Sequence, residues 1–131
     1  MRINLHVIVI GAGLTGSFFL KEMIAYLHMK QENLIRTDIT VFDPGSIGKE
    51  DLGAVYIRED LGQNRALLLS ELLKEQYDYE VTAVPGDFSV GSPVLQISKR
   101  DYVFMVDCSR NVRHQAWGWS LSVGFSSSIA P

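Results

Sequence analysis

Six residues carry the first chemical signal. Gly11-Ala12-Gly13-Leu14-Thr15-Gly16 spells G-x-G-x-x-G. In such a motif the first glycine allows a tight turn. The second lets a phosphate approach the backbone with no Cβ in the way, and the third lets a helix pack closely on a strand. N–H groups at the start of that helix offer hydrogen bonds and partial positive charge to an anion. The motif predicts a nucleotide site built from Gly11, Gly13, Leu14, Thr15 and Gly16. The alternative is a tight strand-to-helix turn with no ligand. Asp43 is the second signal. In this kind of fold an acidic residue at the end of the second strand accepts hydrogen bonds from ribose hydroxyls. A turn aspartate capping Pro44-Gly45 is the alternative. Its distance from the glycines exceeds the usual ~20 residues, and the polar connection at residues 31–38 supplies the excess.

Those side chains need a scaffold. Residues 5–10, LHVIVI, form an apolar, β-branched run that predicts a strand covered on both faces. Residues 14–29 read as a helix, with Leu14, Phe18, Met23, Ile24 and Leu27 on its apolar stripe and Lys21, Glu22 and Lys30 facing water. Residues 39–42 predict a second strand, which Asp43-Pro44-Gly45 terminates. Residues 46–61 are charged and irregular. Residues 63–76 predict a second helix, with Ala66, Leu69, Leu72 and Leu73 sharing a face. Residues 80–84 predict a third strand, residues 85–93 a loop, and residues 102–106, YVFMV, a fourth strand. Residues 94–98 are too short to assign. Strands alternating with helices imply an α/β, Rossmann-like, doubly wound and mostly parallel sheet, with helices on both faces.

Composition bounds the rest. The 131 residues allow a single domain, 1–131. Twelve Lys and Arg against fifteen Asp and Glu give a net charge of -3, which argues against a nucleic-acid partner. No apolar run is long enough to span a bilayer, so no membrane is expected. A lone cysteine, Cys108, cannot form an internal disulfide, and a reducing, cytoplasmic location is expected. Residues 114–131 hold no Lys, Arg, Asp or Glu, and five serines lie in the last dozen residues. This atypical tail reads either as an edge hairpin or as a loose end.

Four blocks in order carry a resemblance: VIVIGAGLTGSFFLKEM, ITVFDPGSIGKEDLG, REDLGQNRALLLSELL and YVFMVDCSRNVR. Together they resemble the ThiF/MoeB/HesA superfamily, over residues 5–113. That group includes the activating enzymes of ubiquitin-like proteins. The resemblance implies ATP-dependent adenylation of the C-terminal carboxylate of a ubiquitin-like or sulfur-carrier protein ending in Gly-Gly. It also implies a homodimer. Asp51-Leu52 stands where the family has Asn-Leu. Arg65 falls on a family lysine that would hold the ATP phosphates, the alternative being a solvated cation at a helix start. Arginine keeps the charge but changes the geometry. The family's loop arginine is matched by Ala54, with Arg58 nearby as a substitute. The fourth strand of the family ends in Asp-x-x-Asp-Asn, whose second aspartate helps hold Mg²⁺. Asp107 is kept, but Arg110 replaces that second aspartate. A cation there opposes Mg²⁺ by several kcal/mol at an effective dielectric of ~20. Arg65, Arg58 and Asp107 are therefore the candidate catalytic groups. Asp43, Asp51 and Arg65 join the glycine turn as candidate ligands of the cofactor, ATP with Mg²⁺.

Other residues read as structural. His6, His28 and His114 are too far apart for a zinc site, and no metal ligand set is expected. Cys108 reads as a small buried hydrophobe. Lys99-Arg100-Asp101 reads as a solvated charge cluster before the fourth strand. Trp117 and Trp119 suit either a partner surface or packing onto the sheet, and Ser126, Ser127 and Ser128 lack a matched base. Two further functions stay open: a non-catalytic ThiF-like module that binds a nucleotide or a partner, and a fragment of an NAD- or FAD-dependent oxidoreductase.

Overall fold

A computed structural model describes residues 3–30, 35–89, 92–109 and 122–125. Strands β1 (Ile3–Ile10), β2 (Ile35–Phe42), β3 (Thr82–Val84), β4 (Tyr102–Asp107) and β5 (Ser122–Phe125) form one sheet in the order β3-β2-β1-β4-β5. The first four are parallel, and β5 runs antiparallel to β4. Helix α1 (Leu14–Lys30) joins β1 to β2, and helix α2 (Arg65–Tyr77) lies between β2 and β3. This is the expected α/β Rossmann-like arrangement.

Strand alternation divides the core. Val7 and Val9 of β1 and Ile39 and Val41 of β2 meet Leu20 and Ile24 of α1 and Ala66, Leu69 and Leu73 of α2. Ile8, Ile10, Phe42 and Val103 point the other way and pack with Phe88, Leu95, Ile97 and Met105. Among the described residues, both helices therefore cover one face, where helices on both faces were expected. The segment between β3 and β4 covers the other, with Phe88 set edge-on against Phe42 at 5.4 Å between ring centres.

Details depart from the sequence reading where polarity misled it. β2 starts four residues earlier than its apolar run, because the polar stretch Ile35 to Asp38 pairs in register with Ile3 to His6. The buried stripe of α1 is Ser17, Leu20 and Ile24, and Phe18 stands outward at 51% exposure. On α2 the side chain of Leu68 is buried, and Leu72 is only partly so. Asp101 is buried rather than solvated, at 6% exposure. Its carboxylate meets His6 Nε2 at 2.7 Å and accepts from the Ser98 N–H, the Ser98 hydroxyl and Asn4. Burial raises its pKa, but those hydrogen bonds outweigh it and hold the group down at about 2. For the tail, the strand Ser122–Phe125 against Tyr102 to Met105 favours the edge-strand alternative. Arg110, Asn111, His114, Trp117, Trp119 and Ser126 to Ser128 lie outside the described residues.

Candidate functional site

The sheet places its opening between β1 and β4. β2 leaves β1 on one side and β4 joins it on the other, so the connections above these two strands part and leave a crevice at their C-terminal ends. A cavity of about 650 Å³ lies there, within the range of small-molecule sites. The ends of β1, β2 and β4 supply its floor. They are laced by Gly11 N–H to the Phe42 carbonyl (2.8 Å), Cys108 N–H to the Ile10 carbonyl (2.7 Å) and Asp43 N–H to the Val84 carbonyl (3.1 Å).

The glycine turn forms one wall. Gly11 has a φ of +95°, and a Cβ there would press on the Cys108 and Ser109 backbone at 2.8 Å. A Cβ on Gly16 would meet the Gly11 carbonyl. These two glycines let strand, helix and β4 end come together. Gly13 is different, since its Cβ would meet a side-chain oxygen of Asp51 at 2.9 Å. Hydrogen bonding within α1 begins with the Ser17 N–H, which donates to the Gly13 carbonyl at 3.0 Å. The N–H groups of Leu14, Thr15 and Gly16 precede it and are donors the helix cannot satisfy. Gly11, Gly13, Leu14 and Thr15 line the cavity.

Asp43 sits against this turn and is 4% exposed. Its Oδ2 accepts from the Ala12 N–H and its Oδ1 from the Gly45 N–H, both at 2.7 Å. The ribose role and the turn-cap role are thus not exclusive. The carboxylate caps Gly45, holds the glycine turn and lines the cavity. Each oxygen keeps a second lone pair for a ligand.

Arg65 enters the cavity from the first turn of α2. Its Nε and Nη2 each lie 2.9 Å from Asp51 Oδ2, with Asp43 Oδ1 and Glu50 Oε1 both at 3.6 Å. Burial lowers its pKa, and the Asp51 hydrogen bond and the surrounding carboxylates more than reverse this. Asp51 is 1% exposed. Its Oδ2 also accepts from the Gly48 N–H at 2.8 Å, whereas its Oδ1 has no hydrogen bond. Asp107 lines the cavity from the end of β4, with Oδ1 accepting from the Ser109 N–H at 2.9 Å. Arg58 stands apart. It opens a short 3-10 turn, Arg58–Asp60, is exposed and does not line the cavity.

Two residues escaped the sequence reading. Tyr56 is buried, and its hydroxyl donates to the Ala12 carbonyl at 2.6 Å while lying 3.2 Å from that of Arg65. Burial, then the charges of Asp43 and Asp51, push its pKa far up. No local pattern marks a tyrosine whose partner lies 44 residues away. Asn64 caps α2, accepting from the Leu67 N–H, while its amide donates to the carbonyls of Asp43 and Gly45. Asparagine ahead of an apolar helix is a cap signal, and that signal could have found it. Cys108 also lines the cavity. Burial, then the charge of Asp107, raises its thiol pKa to about 11, so it stays protonated near neutrality.

Among the described residues, no group of three or more His, Cys, Asp or Glu is placed to hold a metal. Mg²⁺ carried on phosphates needs only one or two carboxylates, and Asp107 is placed to offer one. No helix among the described residues is long and apolar enough to cross a membrane.

No protein-family model matches the chain, and no curated protein matches it in sequence. Solved structures do match. Escherichia coli MccB with ATP is similar over 83% of this chain, with a TM-score of 0.56 and 15% identity. The same protein with succinimide is similar over 78%, with a TM-score of 0.51 and 15% identity. The chain spans 30% and 36% of those two chains. At that identity the likeness establishes the Rossmann-like fold.

Proposed function

We propose that this chain is the nucleotide-binding part of a ThiF-like adenylating enzyme, which activates the C-terminal carboxylate of a Gly-Gly-ended carrier protein with ATP. One observation carries the reading. Leu14 and Thr15, whose N–H groups at the start of α1 have no acceptor within the helix, line a cavity at the point where the sheet connections part, with Asp43 beside them. The shared fold with MccB, whose structure was solved with ATP, supports it. So does the order of the four sequence blocks.

The chain's own groups suit phosphate electrostatics better than covalent catalysis. The N–H groups of Leu14, Thr15 and Gly16 hold a phosphate and stabilise charge that grows in the transition state. Asp43 receives the ribose. Arg65 supplies the cavity's positive charge. Mg²⁺, when bound with the phosphates near Asp107, supplies charge neutralisation. The protonated Cys108 thiol is unsuited to attack. Exchange of labelled pyrophosphate into ATP, with Mg²⁺ and a Gly-Gly-ended carrier, tests the reading. Exchange that depends on the carrier supports it. No exchange and no ATP binding would overturn it.

A second reading is favoured by the clamp on Arg65. With Asp51, Asp43 and Glu50 around it, its charge is largely committed within the protein, and Arg58 stands away from the cavity. A module that binds nucleotide without turning it over fits that arrangement. ATP binding without exchange would support it.

A further inference from the structure

We propose that Asp51 sets the charge preference of this site, admitting nucleotides with few or cation-neutralised phosphates and opposing bare polyphosphates. This rests on the reading of the cavity as a nucleotide site. The observation behind it is an orphan. Asp51 is 1% exposed, and its Oδ1 has neither solvent contact nor a hydrogen-bond partner. That oxygen lies against the glycine turn, 2.9 Å from where a Cβ of Gly13 would stand. A phosphate seated on the neighbouring N–H groups therefore has a buried carboxylate against the same turn. Burial leaves water little room to screen the repulsion.

Arg65, paired with the same carboxylate, offsets this only in part. Arg65 is the one cation among the described residues lining the cavity, and Asp43, Asp51, Asp87 and Asp107 line it too. Its guanidinium bonds Asp51 through Oδ2 and is shared with Asp43 and Glu50. Each added phosphate brings charge into a cavity that is already net negative. A divalent cation arriving with the phosphates removes that opposition.

Calorimetric titration with adenosine, AMP and ATP, in EDTA and in Mg²⁺, tests the proposal on the unaltered chain and on Asp51→Asn. Asparagine keeps one acceptor oxygen for the Gly48 N–H and Arg65 and puts a donor where the orphan was. In EDTA the unaltered chain should bind AMP at least about tenfold more tightly than ATP. Mg²⁺ should raise its ATP affinity. In Asp51→Asn the AMP preference should shrink by about tenfold or reverse, the gain from Mg²⁺ should diminish, and adenosine affinity should change less than ATP affinity. ATP binding as tightly as AMP to the unaltered chain in EDTA would overturn the proposal even if the variant does not fold. So would a preference that Asp51→Asn leaves intact. Either result would keep the nucleotide reading. Failure to bind all three ligands would remove that reading and the proposal together.

Discussion

Asp43 Oδ2 accepts a 2.7 Å hydrogen bond from the Ala12 N–H, 31 residues earlier in the chain. The residue expected to meet the ribose is thus also the clasp of the glycine turn. Tyr56 reaches the same residue from the other side, through the Ala12 carbonyl. Ala12 is held at both its backbone polar groups, which anchors the turn that runs on to Gly16.

Removing the clasp should damage fold and site together. Asp43→Ala leaves the Ala12 and Gly45 N–H groups without their acceptor. At about 1–3 kcal/mol for each N–H left unpaired, unfolding in urea should show a loss of about 2–6 kcal/mol with an unchanged slope. Nucleotide affinity should fall as well. A stable variant with normal affinity would show that the clasp is dispensable.

Tyr56→Phe isolates the second support. It deletes one hydroxyl and leaves the buried Ala12 carbonyl unpaired, for a loss of about 1–2 kcal/mol. Thermal unfolding should register this. Nucleotide affinity should weaken less than in Asp43→Ala, because the carboxylate remains in place.

The glycines should separate by role. Gly16→Ala brings a Cβ onto the Gly11 carbonyl, backbone against backbone, and should prevent stable folding. Gly13→Val meets the Asp51 side chain and fills the phosphate approach, so it should bind nucleotide at least about tenfold more weakly while keeping its far-ultraviolet circular dichroism. Equal stability in the two variants would contradict this division.

Acid should loosen the opposite end of the sheet. Asp101 has a native pKa of about 2, below its ordinary value. A carboxyl depressed on folding contributes stability that is complete above its unfolded pKa, near 4, and lost as pH falls toward 2. Asp101→Asn should be less stable than the parent at pH 7, and the difference should narrow between pH 4 and pH 2. A difference constant across that range would assign the effect to packing rather than ionisation.

What the sequence revealed follows from how local each signal is. The strand 5–10, the turn at Gly11 to Gly16 and the strand beginning at Tyr102 are contiguous patterns, and each formed where expected. Asp43 was legible because strand ends carry acidic residues for a known physical reason. The first half of β2 was not, since Arg36, Thr37 and Asp38 form a polar stretch whose pairing with β1 no apolar pattern announces. Asp101 looked solvated because its partners His6 and Asn4 lie more than ninety residues away. The Arg65 clamp was equally hidden. Arg65, Asp43 and Asp51 were noticed and Glu50 was not, and only the fold brings the three carboxylates to one guanidinium.

The glycine turn can be watched directly by recording backbone amide resonances of the isotopically labelled chain during titration with AMP. Saturable shifts concentrated at Gly13, Leu14, Thr15 and Gly16, absent from Gly13→Val, are the expected result. Saturable binding that leaves those four amides unmoved, or no binding at all, would contradict the assignment of this turn to a nucleotide.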